Sequence, residues 1–366
     1  MKIQEIILAL EELAALAYQE SYDNCGLLTG EKSWECTGII CTLDATEEVV
    51  KEAILKKCNL IVTHHPIIFS GLKKITGSNY IENTIITSIK NDIAIYAIHT
   101  NLDNVLHGVN KKIADALGLI NQQILQPKSE LLKKLVTFVP ANNLEKLQQA
   151  LFNTGGGNIG NYSECSFWVE GIGSFKGNEH SNPVIGEKEK RMNEKELKLE
   201  VIFPHYLQKE LIKVLLENHV YEEVAYDIYN LSNEYQIVGS GIIADLREET
   251  TEALFLKTIA HIFNISVIKH SNLLGKKIKK VAVCGGAGSF LIKRALALNA
   301  DIFITSDVKY HEYFDAEDQM VLADIGHWES EQFTIDLFFD VLSSKFPNFA
   351  VLKTEVKTNP VNYYLS

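Results

Sequence analysis

Apolar positions Ile3, Ile6, Ile7, Leu10, Leu13, Ala14 and Ala17 recur at helical spacing, so the chain opens on an amphipathic helix with one face turned to a core. The rhythm then changes. Gly38-Ile39-Ile40-Cys41-Thr42-Leu43 is an unbroken apolar run that predicts a buried strand, 47–57 predicts a helix, and Leu60-Ile61-Val62-Thr63 predicts the next strand. A further strand is expected over 93–98, then a loop and a helix over 108–117. Strands alternating with helices in this way indicate an α/β fold with mainly parallel pairing.

The far end repeats the pattern. Residues 39–65 lie over 281–307 without a gap, 27 on 27, at a constant offset of 242. Ala45, Lys51, Ala53 and Thr63 meet identical residues at Ala287, Lys293, Ala295 and Thr305, and each copy ends in a polar pair, His64-His65 or Ser306-Asp307. We therefore expect duplicated βαβ halves whose strand ends face one cleft, the place where ligands gather on open α/β sheets. Between the halves the order is strand (135–140), helix (142–153), a glycine-rich turn at 155–157, strand (166–169), polar loop (177–191), strand (197–203), helix (205–218) and strand (225–229). This run of about 100 residues fits an inserted ferredoxin-like α+β domain. The expected division is 1–129 with 234–366 as one discontinuous domain and 130–233 as the insertion.

Composition narrows the partners. At 366 residues, with 46% hydrophobic and 22% charged side chains, the chain has ample material for more than one core. A net charge of −12 argues against a broad nucleic-acid surface, which needs clustered Lys and Arg. Acidic residues begin at Glu5 with no signal-peptide core before them, and no run approaches the roughly 18 to 20 apolar residues of a membrane span. The 6 cysteines form no Cys-x-x-Cys pair and sit largely in apolar runs, so they are expected to be reduced and structural. A cytoplasmic protein without a membrane partner is the expectation.

The chemistry concentrates where apolar runs end. Neighbouring side chains on a strand point to opposite faces, so His64 and His65 share a site only where the strand stops, and Pro66 stops it. A bare His-His pair is as readily two surface residues. Ile95-Tyr96-Ala97-Ile98 empties into His99-Thr100-Asn101-Leu102-Asp103, where Asp103 offers a hard oxygen ligand and His99 or Asn101 could support it. After the apolar run 320–323, His327 and Glu331 stand four apart, on one face of a helix. Together these supply three imidazoles and two carboxylates and no thiolate, more than one zinc needs. Two ions sharing a carboxylate would use all five, and the donor set suits Zn, Mn, Fe, Co or Ni.

The chain resembles the GTP cyclohydrolase 1 type 2 homologue family. The likeness rests on Tyr22-Asp23-Asn24-Cys25-Gly26-Leu27, with tyrosine where the family has tryptophan, and on Thr63-His64-His65-Pro66 and His99 to Asp103. It rests further on Ser306-Asp307-Val308-Lys309-Tyr310-His311, on Gly326-His327 with Glu331, and on Gly160-Asn161-Tyr162 and the 221–227 run of the insertion, which is similar to a PII- or CutA-like module. The resemblance implies two divalent metal ions per chain (Zn, Fe or Mn), held by His64, His65, Asp103, His327 and Glu331 with Glu331 bridging, and a ring-shaped homohexamer. It leaves three functions open: a metal-dependent hydrolase acting on a nucleotide or related phosphorylated molecule, a metal-handling or sensing protein with a regulatory insertion, or a ring scaffold. For the first, His311 is a candidate catalytic proton shuttle or a hydrogen-bonding support to a ligand, and Lys309 a candidate phosphate partner. The glycines at 285–288 would cradle an anion or simply form a tight turn.

Overall fold

The apolar runs become central strands covered on both faces. The computed structural model describes residues 1–364, in which strands β1–β15 and helices α1–α11 are numbered in chain order. β1 (Gly26–Thr29), β2 (Ile39–Asp44), β3 (Leu60–His65), β4 (Ala94–Ala97) and the last strand β15 (Val351–Lys353) form one sheet in the order β1-β4-β3-β2-β15. Ile39, Ile40, Cys41, Leu60, Ile61 and Val62 are fully buried, as strands with no polar alternation require. The crossover helix α2 (Glu47–Leu55) starts where the Thr46 hydroxyl accepts the Val49 N–H, with Glu47 and Glu48 complementing the positive helix end. Its Val49, Val50 and Ala53 pack on Ile40 and Ile61. Helix α3 (Tyr80–Lys90) makes the next crossover, from β3 to β4. The first helix, α1 (Ile3–Leu13), ends before Ala14 and Ala17, because Ala14 is already extended.

A second sheet has the order β11-β14-β13-β12-β10-β5. It comprises β5 (Ile120–Lys128), β10 (Tyr235–Thr251), β11 (Lys269–His270), β12 (Lys277–Ala287), β13 (Ile302–Ser306) and β14 (Val321–Asp324). The 242-residue overlay holds element by element. β12 meets β2, a 3-10 turn at Ser289–Leu291 continuing into α9 (Ile292–Ala297) meets α2, and β13 meets β3. Pairing is parallel among β2, β3 and β4 and among β12, β13 and β14. The last strand β15 also pairs parallel with β2, so these pairings are mainly parallel as expected, with antiparallel additions at β1, β10 and β11. Apolar rhythm encodes burial and carries no information on strand direction. The short helices α4 (Thr100–Asp103) and α10 (His327–Glu331) follow β4 and β14, while α5 (Val109–Ala116), α8 (Glu252–Ile262) and α11 (Thr334–Lys345) complete this unit.

By compactness the chain divides into Met1–Gln126 with the segment from Ile237 onward, and Pro127–Gln236. The second unit runs β6 (Leu132–Val139), α6 (Leu144–Asn153), β7 (Phe167–Lys176), β8 (Arg191–Pro204), α7 (Gln208–Asn218) and β9 (Tyr226–Leu231). Its antiparallel sheet has the order β7-β8-β6-β9. Leu144, Leu147 and Leu151 of α6 and Leu211 and Leu215 of α7 bury one face of it. β7 and β8 are longer than the apolar pattern predicts. Their outer halves pair mostly exposed or half-buried residues, which leave no hydrophobic signature. Among the described residues no helix is long and apolar enough to cross a membrane, and all six cysteines are free thiols.

Candidate metal centre

β3 carries its apolar run into the sheet and releases His64 and His65 at its carboxyl end. The His64 ring is fully buried, with Nδ1 2.9 Å from the Ile98 carbonyl oxygen. His65 places Nδ1 2.7 Å from Asp44 Oδ1, and Asp44 is its register partner on the neighbouring parallel strand β2. On the other sheet His327, first residue of α10, has Nδ1 2.6 Å from Asp307 Oδ2. Each of these Nδ1 atoms meets an oxygen that can only accept, so Nδ1 carries the hydrogen and Nε2 turns inward.

Glu331 lies at the meeting point. Its Oε2 is 3.0 Å from His65 Nε2 and 3.2 Å from His327 Nε2, while Oε1 is 3.8 Å from His64 Nε2. Asp103 Oδ1, from α4, is 3.5 Å from His64 Nε2. His64 Nε2 and Asp103 Oδ1 are both buried and lack a hydrogen-bond partner. Two buried acceptors that face one another without a hydrogen between them are costly unless a cation joins them. The donor atoms form the groups His64, Asp103, Glu331 and His65, His327, Glu331, each within 4.8 Å. The residues present therefore fit a metal ion.

The electrostatics agree. Burial disfavours charge on His65, but hydrogen bonds to Asp44 and Glu331 outweigh it and raise the ring to about 10. His327 is raised to about 9 in the same way, against its burial, by Glu331 and Asp307. Burial alone would raise Glu331, yet hydrogen bonds from His327 and His65 and the charge of the nearby His64 hold it well below the usual carboxylate range. Asp103 is raised, first by burial and then by the negative charge of Glu331, despite His64. A cluster that draws protons onto buried imidazoles carries excess negative charge, which a dication neutralises.

The backbone is shaped to let these groups meet. Asp307 sits at φ 55, a left-handed conformation uncommon for a residue other than glycine, and from there its carboxylate reaches His327. Gly286 has φ 63, and a Cβ there would stand 2.4 Å from Glu331 Oε1, so only glycine leaves that oxygen free.

The Duf34/NIF3 (NGG1p interacting factor 3) family model matches residues 1–360. This chain belongs to that family. It is 37% identical over 372 residues to the GTP cyclohydrolase 1 type 2 homolog of Bacillus subtilis, covering 98% of each chain. It is 38% identical over 326 residues to the homolog of Halalkalibacterium halodurans, 88% of each. Among solved structures, a Bacillus cereus protein related to NIF3 superposes with a TM-score of 0.86 at 36% identity, with 100% of this chain and 99% of that one covered. A Staphylococcus aureus protein gives 0.79 at 29% identity, again covering 100% and 99%.

Within this NIF3 chain the five expected donors converge, although 267 positions separate His64 from Glu331 in sequence. His65, Asp103, His327 and Glu331 border a cleft of about 420 Å³ that Tyr22, Phe69, His99 and Phe290 also line, and His64 is buried. Tyr22, the departure from the family's tryptophan, keeps an aromatic contact, its ring centroid 6.3 Å from that of Phe69. His311 is not brought to the cleft: it is exposed in the 3-10 turn Tyr310–Ala316, its ring against Tyr310 and Phe314, and Lys309 is likewise exposed. The glycine cluster is the irregular end of β12 and no anion cradle, since the N–H groups of Gly285, Gly286 and Gly288 are committed to Asn110, Ser330 and Thr305. The orienting carboxylate Asp44 was not singled out as chemistry from the sequence. The signal available for Asp44 was its place at the end of the apolar run beside the His-His strand.

Proposed function

We propose that this chain is a metal-dependent hydrolase acting on a nucleotide or a related phosphorylated small molecule, with two divalent ions per chain. The orphaned pair His64 Nε2 and Asp103 Oδ1, close to Glu331, with Asp103 and Glu331 lining a ligand-sized cleft, is the observation that carries it. His64, Asp103 and one oxygen of Glu331 would hold one ion, and His65, His327 and the other oxygen would hold the second. An all-N/O donor set with imidazoles suits Zn, Fe or Mn. Bound together, two such ions supply a nucleophilic water at neutral pH and polarise the group it attacks. The chain's own part is to fix the rings through Asp44, Asp307 and the Ile98 carbonyl, so that the donors need not reorganise.

Further readings go with this one. The strand-helix-strand-strand-helix-strand order of the second unit supports a ferredoxin-like, PII- or CutA-like insertion with a regulatory role. The shared register of the two βαβ segments supports a duplicated origin of the larger unit. Family membership supports a cytoplasmic, ring-shaped homohexamer.

The test is turnover of a nucleotide panel by metal-loaded chain, set against chelated protein and Glu331→Gln. Turnover by the loaded wild type only is expected. Two bound ions with no turnover of any panel member would instead favour metal handling or sensing.

A further inference from the structure

Beside the five donors a fourth imidazole enters the centre, and it is held in the same manner as the others. His64, His65 and His327 each tie Nδ1 to an acceptor oxygen. His99 does so too, with Nδ1 2.9 Å from Asp23 Oδ1. The Asp23 side chain is fully buried and leaves its partner little freedom. Its Oδ2 accepts from the Thr100 backbone N–H at 3.0 Å, from the Thr100 hydroxyl, and from the Cys25 thiol at 3.0 Å. A carboxylate with so many donors fixes both the plane and the tautomer of the imidazole it receives.

The far edge of that ring is directed at the centre. Its centroid is 5.1 Å from that of His64 and 5.4 Å from that of His65, with interplanar angles of 79° and 81°, so it meets both edge-on. Ring nitrogens of His64, His65 and His99 lie within 4.8 Å of one another, a third donor group overlapping the two already described. His99 also lines the cleft. A surface histidine needs no buried carboxylate to hold it.

We propose that His99 is a sixth donor of the metal centre, an imidazole that reaches a divalent transition-metal ion on the His64–His65 side, with Asp23 as its positioning residue. This rests on the metal-binding reading above and extends its ligand set. It adds a nitrogen on the cleft side, which favours imidazole-seeking ions over Mg.

The experiment uses the full chain loaded with Co(II), whose visible absorption reports ligand identity, together with a chelator competition for affinity. His99→Asn is the chosen variant, because its amide can keep the Asp23 contact while the inward nitrogen is lost. We expect one of two ions to bind at least about tenfold more weakly and the cobalt spectrum to shift, with free imidazole restoring the spectrum. Asp23→Asn, checked by circular dichroism, should weaken the same ion without imidazole rescue. A folded His99→Asn protein with unchanged spectrum and affinities overturns the sixth donor alone. A wild-type chain that takes up no cobalt overturns the centre and the donor together.

Discussion

The two βαβ segments use one frame for opposite tasks. In each, a central parallel strand ends in a polar pair after threonine, and the next strand ends in further polar groups. β3 delivers His64 and His65 as donors, whereas the equivalent end of β13 delivers Asp307, which orients His327 and offers no inward atom of its own. The following strand ends differ as well. β4 leads to His99 and Asp103, and β14 leads to His327 and Glu331, whose two oxygens face both donor groups. Equivalent backbone positions can thus carry a candidate donor in one copy and the anchor of a candidate donor in the other. What separates the roles is reach: an imidazole at position 65 spans to the centre, while an aspartate at 307 reaches only its neighbour.

Glu331→Gln should break the centre most completely. It keeps the shape but removes the charge that both halves share, so metal content by elemental analysis after dialysis should fall from two ions per chain towards none. Retention of two would show that the sheets hold their ions independently. His65→Ala against Asp307→Asn tests the contrast of roles directly. Losing the donor should leave about one ion per chain, whereas losing the anchor should weaken one ion by roughly 10- to 100-fold with stoichiometry intact at saturating metal. Equal losses would erase the distinction between donor end and anchor end.

A smaller effect concerns the loop that follows His64-His65-Pro66. Glu82 accepts from the Ser78 and Thr76 backbone N–H groups and from their hydroxyls, tying that loop to α3. The bonds from Ser78 and then Thr76 lower its carboxyl from 4.5 to about 2. A depressed folded pKa gives stability that is full above the unfolded value and lost as pH falls towards the folded one. Wild type should therefore melt above Glu82→Gln at pH 7, and the gap should close between about pH 4.5 and 2. A gap constant across that range would mean that the glutamate acts through shape alone.

Much of the site was legible because its donors sit where apolar runs stop, and local pattern marks such stops. Pro66 announced the end of β3, and the four-residue spacing of His327 and Glu331 announced a shared helix face. The catalytic expectation for His311 failed to find a place in the cleft for the complementary reason. A histidine five residues past a strand end carries no sign of which way a 3-10 turn will point it.

By itself, then, the sequence determined the α/β alternation, the gapless repeat, the family and the five candidate donors that the fold brings together, all of which are written in spacing and residue type. Tertiary structure alone decided which oxygen anchors each ring, with Asp23 76 residues from His99 and Asp44 21 from His65. It decided too that β1, β10 and β11 run antiparallel to their neighbours and that Gly286 makes room for Glu331. Burial is a property of one segment and its solvent, so a linear pattern records it. Partnership is a property of two segments brought together by the whole fold, and no local pattern carries it.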